Sequence, residues 1–186
     1  MLFRSVQTLR VQKGLQIPKN VFIKGRPYIR VVNGGCIDIA ENVVLNSSNR
    51  KYHVNMYGPV KLIADGEGAR VVIGMNSRIH GTCIHARGAI TIGENCLIAA
   101  NCQIIDSNGH NSLMREPEKR LSTRGDVAPI VIEDNVWIGM NSIILPGTVI
   151  KQGAVIAAGS VVRGEIPENS LYAGPSGSVV KSFLSC

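Results

Sequence analysis

The chain has 186 residues, of which 45% are hydrophobic, only 4% are aromatic and 20 are glycine. This length fits one domain with a substantial core, and the composition is typical of a turn-rich β architecture filled by aliphatic side chains. The formal net charge is +7, but the basic residues form no dense block, which disfavours nucleic acid as a partner. The positive excess fits an anionic cofactor and a substrate near an anionic membrane surface equally well.

The N-terminal stretch, residues 1–14, carries Arg4, Arg10 and Lys13 and lacks the uninterrupted apolar region of a signal peptide. No other stretch approaches membrane-spanning length, so we expect a cytoplasmic protein whose thiols stay reduced. The five cysteines form no CxxC pair and no ligand cluster, and we predict no metal site. Residues 1–14 are expected to cap the fold, with an amphipathic membrane contact as the alternative.

A six-residue period organises the chain. Large aliphatic residues recur in one unbroken register at Ile132, Ile138, Ile144, Ile150, Ile156 and Val162. Small or β-branched residues follow the first five at a fixed phase, at Val136, Ser142, Thr148, Ala154 and Ser160. Weaker copies run back towards Ile17. This period matches neither a helix nor a flat strand and indicates a solenoid, with one hexapeptide per face and roughly eighteen residues per triangular coil.

Two departures from the period lie inside the repeat. Ile73 and Ile92 are nineteen positions apart, one more than a whole coil, which predicts a one-residue bulge near His85. Residues 108–129 are polar and charged and exceed the period by about ten positions. They are expected to form a projecting loop, and long loops in compact repeats commonly carry function.

The repeat stops at the C-terminal end of the chain. Residues 167–186 are expected to cap the open coil, first as an extended segment and then as a short helix from Ser178 to Leu184. The whole chain, residues 1–186, is thus predicted to be one all-β domain, capped at both ends.

Three segments carry a resemblance to a known family: IEDNVWIGMNSIILPG at 132–147, AAGSVV at 157–162 and IPENSLYAGP at 166–175. From about residue 15 onward the chain is similar to the hexapeptide-repeat acetyltransferases, near the maltose and galactoside acetyltransferases and the O-acetyltransferases of bacterial surface polysaccharides. The resemblance implies a left-handed parallel β-helix that assembles as a homotrimer. It also implies an enzyme that binds acetyl-CoA between neighbouring subunits and acetylates a hydroxyl or amine of a sugar or glycan.

The family's catalytic histidine matches His110 in the run Asp106-Ser-Asn-Gly-His110. An imidazole can take the proton of an attacking hydroxyl and return it to the departing thiolate. Asp106 is expected to orient this imidazole or to bind substrate, with a turn aspartate as the alternative. No serine or cysteine lies in a nucleophile elbow, so direct transfer is favoured over an acyl-enzyme.

Similarity to the galactoside enzymes places Met140 and Ala158 against the pantetheine arm of the cofactor, with Trp137 beside it. Trp137 precedes a core aliphatic residue and should point outward, although core packing is the alternative. Where the family often has Thr-Lys to hold the phosphates, this chain has Arg163, which is expected to supply that charge. Lys181 keeps a second basic position farther along.

On the acceptor side, His80 falls where galactoside enzymes have a substrate-contacting asparagine, and Arg87 falls near an acidic contact. Both departures indicate an acceptor other than galactoside or maltose, and Arg87 suits an acidic sugar or a phosphate-bearing glycan carrier. Two alternatives remain: a γ-class carbonic anhydrase-like enzyme with zinc on His80, His85 and His110, and a non-catalytic hexapeptide scaffold. The carbonic anhydrases place their lone histidine ligand before the spaced pair, whereas here the pair His80 and His85 precedes His110.

Overall fold

A computed structural model describes residues 13–175 in full and the backbone of residues 178–182. In chain order its strands are β1 (Leu15–Gln16), β2 (Phe22–Gly25), β3 (Tyr28–Val32), β4 (Cys36–Ile39), β5 (Val44–Ser47), β6 (Lys61–Asp65), β7 (Arg70–Ile73), β8 (Arg78–His80), β9 (Cys83–Ala86), β10 (Ala89–Ile92), β11 (Leu97–Ile98), β12 (Gln103–Ile105), β13 (Ile130–Ile132), β14 (Trp137–Ile138), β15 (Ile143–Ile144), β16 (Val149–Ile150), β17 (Val155–Ile156), β18 (Val161–Val162), β19 (Glu165–Ile166), β20 (Ser170–Ala173) and β21 (Ser178–Ser182). A 3-10 helix spans Pro117–Ser122.

The strands form three sheets, the faces of a prism. Face A holds β2, β5, β8, β11, β14, β17, β20 and β21. Face B holds β1, β4, β7, β10, β13, β16 and β19, and face C holds β3, β6, β9, β12, β15 and β18. Each coil visits faces B, A and C in turn, so each strand from β1 to β20 pairs in parallel with a strand one coil away. The predicted solenoid is confirmed.

The repeat residues fill the inside of the prism. Ile98 pairs in register with Ile138, and Ile138 with Ile156, and all three are at most 1% exposed. Ser142 and Ser160 occupy the small-residue slot, where their hydroxyls donate to the carbonyls of Gly139 at 2.8 Å and Ala157 at 2.7 Å. This position favours small side chains because it packs beneath a corner of the prism. The carbonyls of that corner accept the hydrogen bonds of the buried hydroxyls.

Asparagines turn the chain at the corner between faces B and A. Asn42, Asn76 and Asn95 have φ values of 59°, 61° and 55°, a left-handed conformation that asparagine tolerates better than most residues. Their side chains form a ladder, with Nδ2 of Asn42 donating to Oδ1 of Asn76 at 3.4 Å and Nδ2 of Asn76 to Oδ1 of Asn95 at 3.1 Å. The ladder ties successive coils together.

The extra residue between Ile73 and Ile92 is not a bulge near His85, so that prediction was wrong. Strand β9 pairs with β6 and β12 in continuous register through His85. β9 and β10 are instead four residues long, with two inward residues each, where later coils have strands of two. The longer faces absorb the additional position.

Two long segments leave the prism at different corners. Residues 106–129 join β12 to β13 at the corner between faces C and B, and a bridge from Ser107 to Val127 closes their base. Residues 48–60 join β5 to β6 at the corner between faces A and C. We call these the C–B loop and the A–C loop.

The predicted C-terminal helix is wrong. Ser178–Ser182 form strand β21, which runs antiparallel to β20 on face A. The segment contains the β-branched pair Val179-Val180, and an open sheet edge offers it backbone partners that an isolated helical turn lacks. Most of the predicted N-terminal cap lies outside the described residues. Within the described part of the chain, no helix is long and apolar enough to cross a membrane.

Candidate active site

A groove of about 420 Å³ runs along the corner where face A turns into face C. It is lined by Tyr52, His53, Val54, Ala99, Trp137, Gly139, Met140, Val155, Ile156, Ala157, Ala158 and Leu171. Its small residues allow the coils to stack closely, since a Cβ on Gly139 would lie 2.5 Å from the amide nitrogen of Ala158. A narrow, mostly apolar trough of this size fits a slender chain with few charges.

Three predicted cofactor residues meet in this groove. Trp137 is 51% exposed, points away from the prism and stands in register with Val155, which is paired in turn with Leu171. These side chains form one wall. Met140 and Ala158 follow Trp137 and Val155 at the corner, one coil apart. The structure therefore brings together Trp137, Met140 and Ala158, which are separated by up to 21 positions in the sequence.

The A–C loop closes the end of the groove towards the N-terminal coils, a feature that the sequence analysis missed. Asn101, at the same corner, holds this loop: its Oδ1 accepts from the amide of Tyr57 at 2.9 Å, and its Nδ2 donates to the carbonyl of Asn55 at 2.9 Å. The available signal was the interval of seventeen positions from Leu45 to Leu62, which are buried residues of successive faces.

His80 lies under the A–C loop. The ring of Tyr52 stacks on it, with centroids 4.8 Å apart and planes inclined by 14°. Asn46 Nδ2 donates to His80 Nδ1 at 3.3 Å, and the amide of Ser48 donates to Asn46 Oδ1 at 3.1 Å, which fixes the orientation of the Asn46 side chain. Nδ1 of His80 thus accepts, and the ring hydrogen lies on Nε2.

The surroundings of His80 keep it neutral. Burial lowers its pKa to about 4, and electrostatic interaction with Arg78, His53 and Lys24 lowers it further. A group whose pKa lies this far below 7 carries no charge at neutral pH. His80 is therefore a neutral hydrogen-bond donor stacked on Tyr52, which lines the end of the groove, and it is not a base.

His110 lies on the exposed C–B loop. Its Nδ1 is 2.9 Å from the carbonyl oxygen of Arg120 and 3.2 Å from that of Thr123. Because carbonyl oxygens only accept, Nδ1 carries the hydrogen and Nε2 holds the lone pair of the neutral ring. The 3-10 helix that contains Arg120 thus sets the tautomer that a general base needs.

Asp106 anchors the base of the C–B loop and is fully buried. Its Oδ1 accepts from the amide of Arg87 and its Oδ2 from the amide of Gly88, both at 2.8 Å. Its own carbonyl accepts from the amide of Ala128 at 2.9 Å. These partners fit the alternative of a turn aspartate better than a substrate contact or a partner for His110.

The predicted site residues fall at two corners of the prism. Trp137, Met140, Ala158 and His80 lie on face A or at its corner with face C. His110, Asp106, Arg87 and Arg163 lie at the corner between faces C and B, where Arg163 is exposed after β18. Lys181 lies in β21, of which the structure describes the backbone alone. The structure does not bring His110 to the groove of its own chain.

Three thiols among the described residues are partly or fully buried: Cys83 partly, and Cys96 and Cys102 fully. Burial raises the pKa of Cys83 and of Cys96, and raises that of Cys102 to about 11. These three thiols are therefore protonated at neutral pH and are poor nucleophiles.

Residues 13–175 contain no group of three or more His, Cys, Asp or Glu side chains placed to hold a metal ion. His80 and His85 lie on different faces, A and C, and His110 lies on the C–B loop. Within a single chain this arrangement gives no support to the zinc alternative, because its three ligands would have to converge on one point.

Comparisons with known proteins agree with the repeat. Residues 129–164 match the bacterial transferase hexapeptide (six repeats), and residues 68–105 match the hexapeptide repeat of succinyl-transferase. The chain is 33% identical over 150 residues to WbbJ of Escherichia coli K12, named as a lipopolysaccharide biosynthesis O-acetyl transferase, and the match covers 75% of each chain.

Two solved structures share the fold. A galactoside acetyltransferase in complex with coenzyme A matches with a TM-score of 0.56 and 35% identity, over 60% of this chain and 55% of that one. The hexapeptide-repeat acetyltransferase VCA0836 of Vibrio cholerae, complexed with acetyl coenzyme A, matches with a TM-score of 0.57 and 32% identity, over 62% and 61%. This chain thus spans less than two thirds of either structure. The extended match to WbbJ shows that the chain belongs to the hexapeptide-repeat acetyltransferases, whose fold is the left-handed parallel β-helix.

Proposed function

We propose that this protein transfers an acetyl group from acetyl-CoA directly to a hydroxyl of a sugar or glycan, with His110 as general base. The observation that carries the proposal is the groove at the A–C corner, where Trp137, Met140 and Ala158 form an apolar trough. Its size and lining fit a pantetheine arm. Galactoside acetyltransferase and VCA0836, to which the chain is similar, were solved with coenzyme A and acetyl coenzyme A.

The proposed reaction needs one imidazole. Nε2 of His110 takes the proton as the hydroxyl oxygen bonds to the thioester carbon, and the carbonyl oxygen becomes an oxyanion. When the C–S bond breaks, the same proton passes to the sulfur of CoA. The raised pKa values of Cys83, Cys96 and Cys102 favour this direct transfer over an acyl-cysteine intermediate.

A trimer would complete the site. The C–B loop carries His110 on one corner, the groove lies on another, and a cyclic assembly would set the loop of one protomer against the groove of the next. Met114 and Leu121 on this loop are 81% and 89% exposed, apolar surface that a neighbouring protomer would cover.

Mixed assemblies test this arrangement. His110→Ala removes the base, and Ala158→Trp fills the groove at an exposed position. Each variant alone should be nearly inactive, whereas trimers re-formed from a mixture should recover activity, because some sites combine an intact loop with an intact groove. Sedimentation should show three chains. A fully active monomer, or no recovery on mixing, would contradict the trimer proposal.

Trp137→Ala tests the donor site. Loss of this half-exposed ring should weaken CoA binding roughly tenfold, the scale expected for removing an aromatic contact worth about 1–2 kcal/mol. Leu97→Ala is the matched control, since Leu97 is also exposed and stands in register with Trp137 one coil below, outside the groove lining. Calorimetric titration with CoA measures both. Equal affinities in the two variants would remove Trp137 from the site.

Arg163 and Lys181 are proposed to hold the phosphates at the nucleotide end of CoA. Arg163→Ala should weaken CoA several-fold while scarcely changing the affinity for 3′-dephospho-CoA, if the contact is to that phosphate. The difference should shrink as salt is added. The same comparison applies to Lys181→Ala. If a substitution weakens both ligands equally, the residue does not contact the 3′-phosphate.

A further inference from the structure

The closed end of the groove lies in a strongly cationic part of the molecule. Residues 14–93, which build the first coils, contain ten Lys and Arg residues and four acidic residues, Asp38, Glu41, Asp65 and Glu67. The basic residues are Lys19, Lys24, Arg26, Arg30, Arg50, Lys51, Lys61, Arg70, Arg78 and Arg87. Within residues 13–175, only Arg70 of this set forms an ion pair, with Asp38 on face B. Lys24 and Arg78 have no carboxylate partner in this part of the chain.

Two of these cations stand beside His80 on the outer side of face A. Lys24, Asn46 and His80 are in register on β2, β5 and β8, and Arg78 precedes His80 by two residues, so it projects from the same side of the sheet. Nζ of Lys24 donates to the carbonyl of Arg50 at 2.7 Å, which holds the ammonium against the A–C loop. Arg78 is exposed.

The same groups act on His80 electrostatically. Arg78, His53 and Lys24 each lower the pKa of His80, and no carboxylate opposes them. His80 itself is directed by Asn46 to present its Nε2 hydrogen. The part of face A next to Tyr52 thus combines two cations with a neutral donor, a set that matches the oxygens of an anion.

We propose that the acceptor carries an acidic group, which Arg78, Lys24 and the Nε2 hydrogen of His80 bind at the Tyr52 end of the groove. This proposal rests on the proposed function, because it assigns the other part of the groove, at Trp137, Met140 and Ala158, to the acetyl donor. The stacked Tyr52 and His80 rings add an apolar surface of the kind against which a sugar ring packs. The enzyme would therefore select an anionic sugar over its neutral counterpart.

The phosphates of CoA are the other source of negative charge. Met140 and Ala158 lie on later coils than Ala99, and Arg163 follows the last strand of the coil that contains Ala158, so the proposed path of CoA runs away from the Tyr52 end. An anion at Arg78 is then separate from the donor. The experiment must therefore distinguish an anionic acceptor from the phosphates of CoA.

The test compares an oligogalacturonate with the same oligomer after reduction of its carboxyl groups, each titrated calorimetrically into the protein saturated with CoA. The acidic oligomer should bind about tenfold tighter or more, as expected for charge-assisted hydrogen bonds to a carboxylate. Arg78→Gln should remove most of this preference. Arg70→Gln, which removes the same charge from the same coil on face B, should retain it. A glucose 1-phosphate and glucose pair distinguishes phosphate from carboxylate.

Three results would overturn the proposal: neither acidic ligand binds better than its neutral partner, Arg78→Gln and Arg70→Gln reduce the preference equally, or Arg78→Gln weakens CoA by the same factor as the acidic sugar. In the last case the cluster binds the donor. Binding to phosphatidylglycerol vesicles that Arg78→Gln abolishes, without any sugar preference, would make the surface a membrane contact instead. Failure of the wild type to bind CoA would refute the donor site, a result separate from all of these.

Discussion

His110→Ala is expected to lower kcat by about two to four orders of magnitude and to leave the Kd for CoA nearly unchanged. The physical reason is the tautomer: Nδ1 donates to the carbonyls of Arg120 and Thr123, so Nε2 presents the lone pair that removes the hydroxyl proton. The substitution removes this base and leaves the groove, which lies at another corner, intact.

Asn108→Ala is the matched control for His110→Ala, because Asn108 is an exposed residue of the same loop, two positions away. Its kcat should stay within a few-fold of the wild type. Release of CoA thiol at saturating acetyl-CoA measures both variants. Wild-type turnover in His110→Ala would exclude His110 from the mechanism.

Asp106→Asn is expected to lower the stability of the protein by about 2–4 kcal/mol, although it changes the side chain by one atom. Both carboxylate oxygens accept from amides, those of Arg87 and Gly88, at 2.8 Å in a fully buried site. An asparagine offers one oxygen and turns an NH2 group towards the other amide. The NH2 group and a backbone amide then face each other as two donors without an acceptor. This arrangement lowers the free energy of unfolding because the site is fully buried and gives the donors no compensating partner from solvent.

Thermal unfolding followed by circular dichroism measures this loss, and Asp126→Asn, at an exposed position of the same loop, is the control. Asp106 lies at the base of the C–B loop, where its backbone carbonyl accepts from Ala128, so a displacement of residue 106 by the lost side-chain bonds should shift the loop and lower kcat as well. A variant with wild-type stability and a raised KM for the acceptor would instead make Asp106 a substrate contact.

The core was predictable because its spacing equals the repeat. Ile98, Ile138 and Ile156 follow the six-residue period, and any arrangement with one hexapeptide per face stacks them inside. The handedness of the coil could not be predicted from physical rules, because crossover connections between parallel strands are generally right-handed. The left-handed coil was expected only from the family resemblance. The terminal strand was mispredicted because its partner, β20, is a tertiary feature.

The site was partly predictable for a similar reason. Trp137 was expected to point outward because alternation along a strand fixes the direction of a side chain. The stacking of Tyr52 on His80 could not be predicted, because the two residues are 28 positions apart and Tyr52 lies in an irregular loop. Nor could the sequence show that the His110 ring meets a carbonyl thirteen positions away.

The central claim is that the groove at the A–C corner holds acetyl-CoA, and a calorimetric titration of CoA into the wild type and into Ala158→Trp tests it most directly. We predict saturable binding of one CoA per wild-type chain and its loss in the variant, with the oligomeric state and thermal unfolding of the unliganded protein unchanged because position 158 is exposed. Undetectable binding by the wild type, or equal affinity in the variant, would contradict the claim.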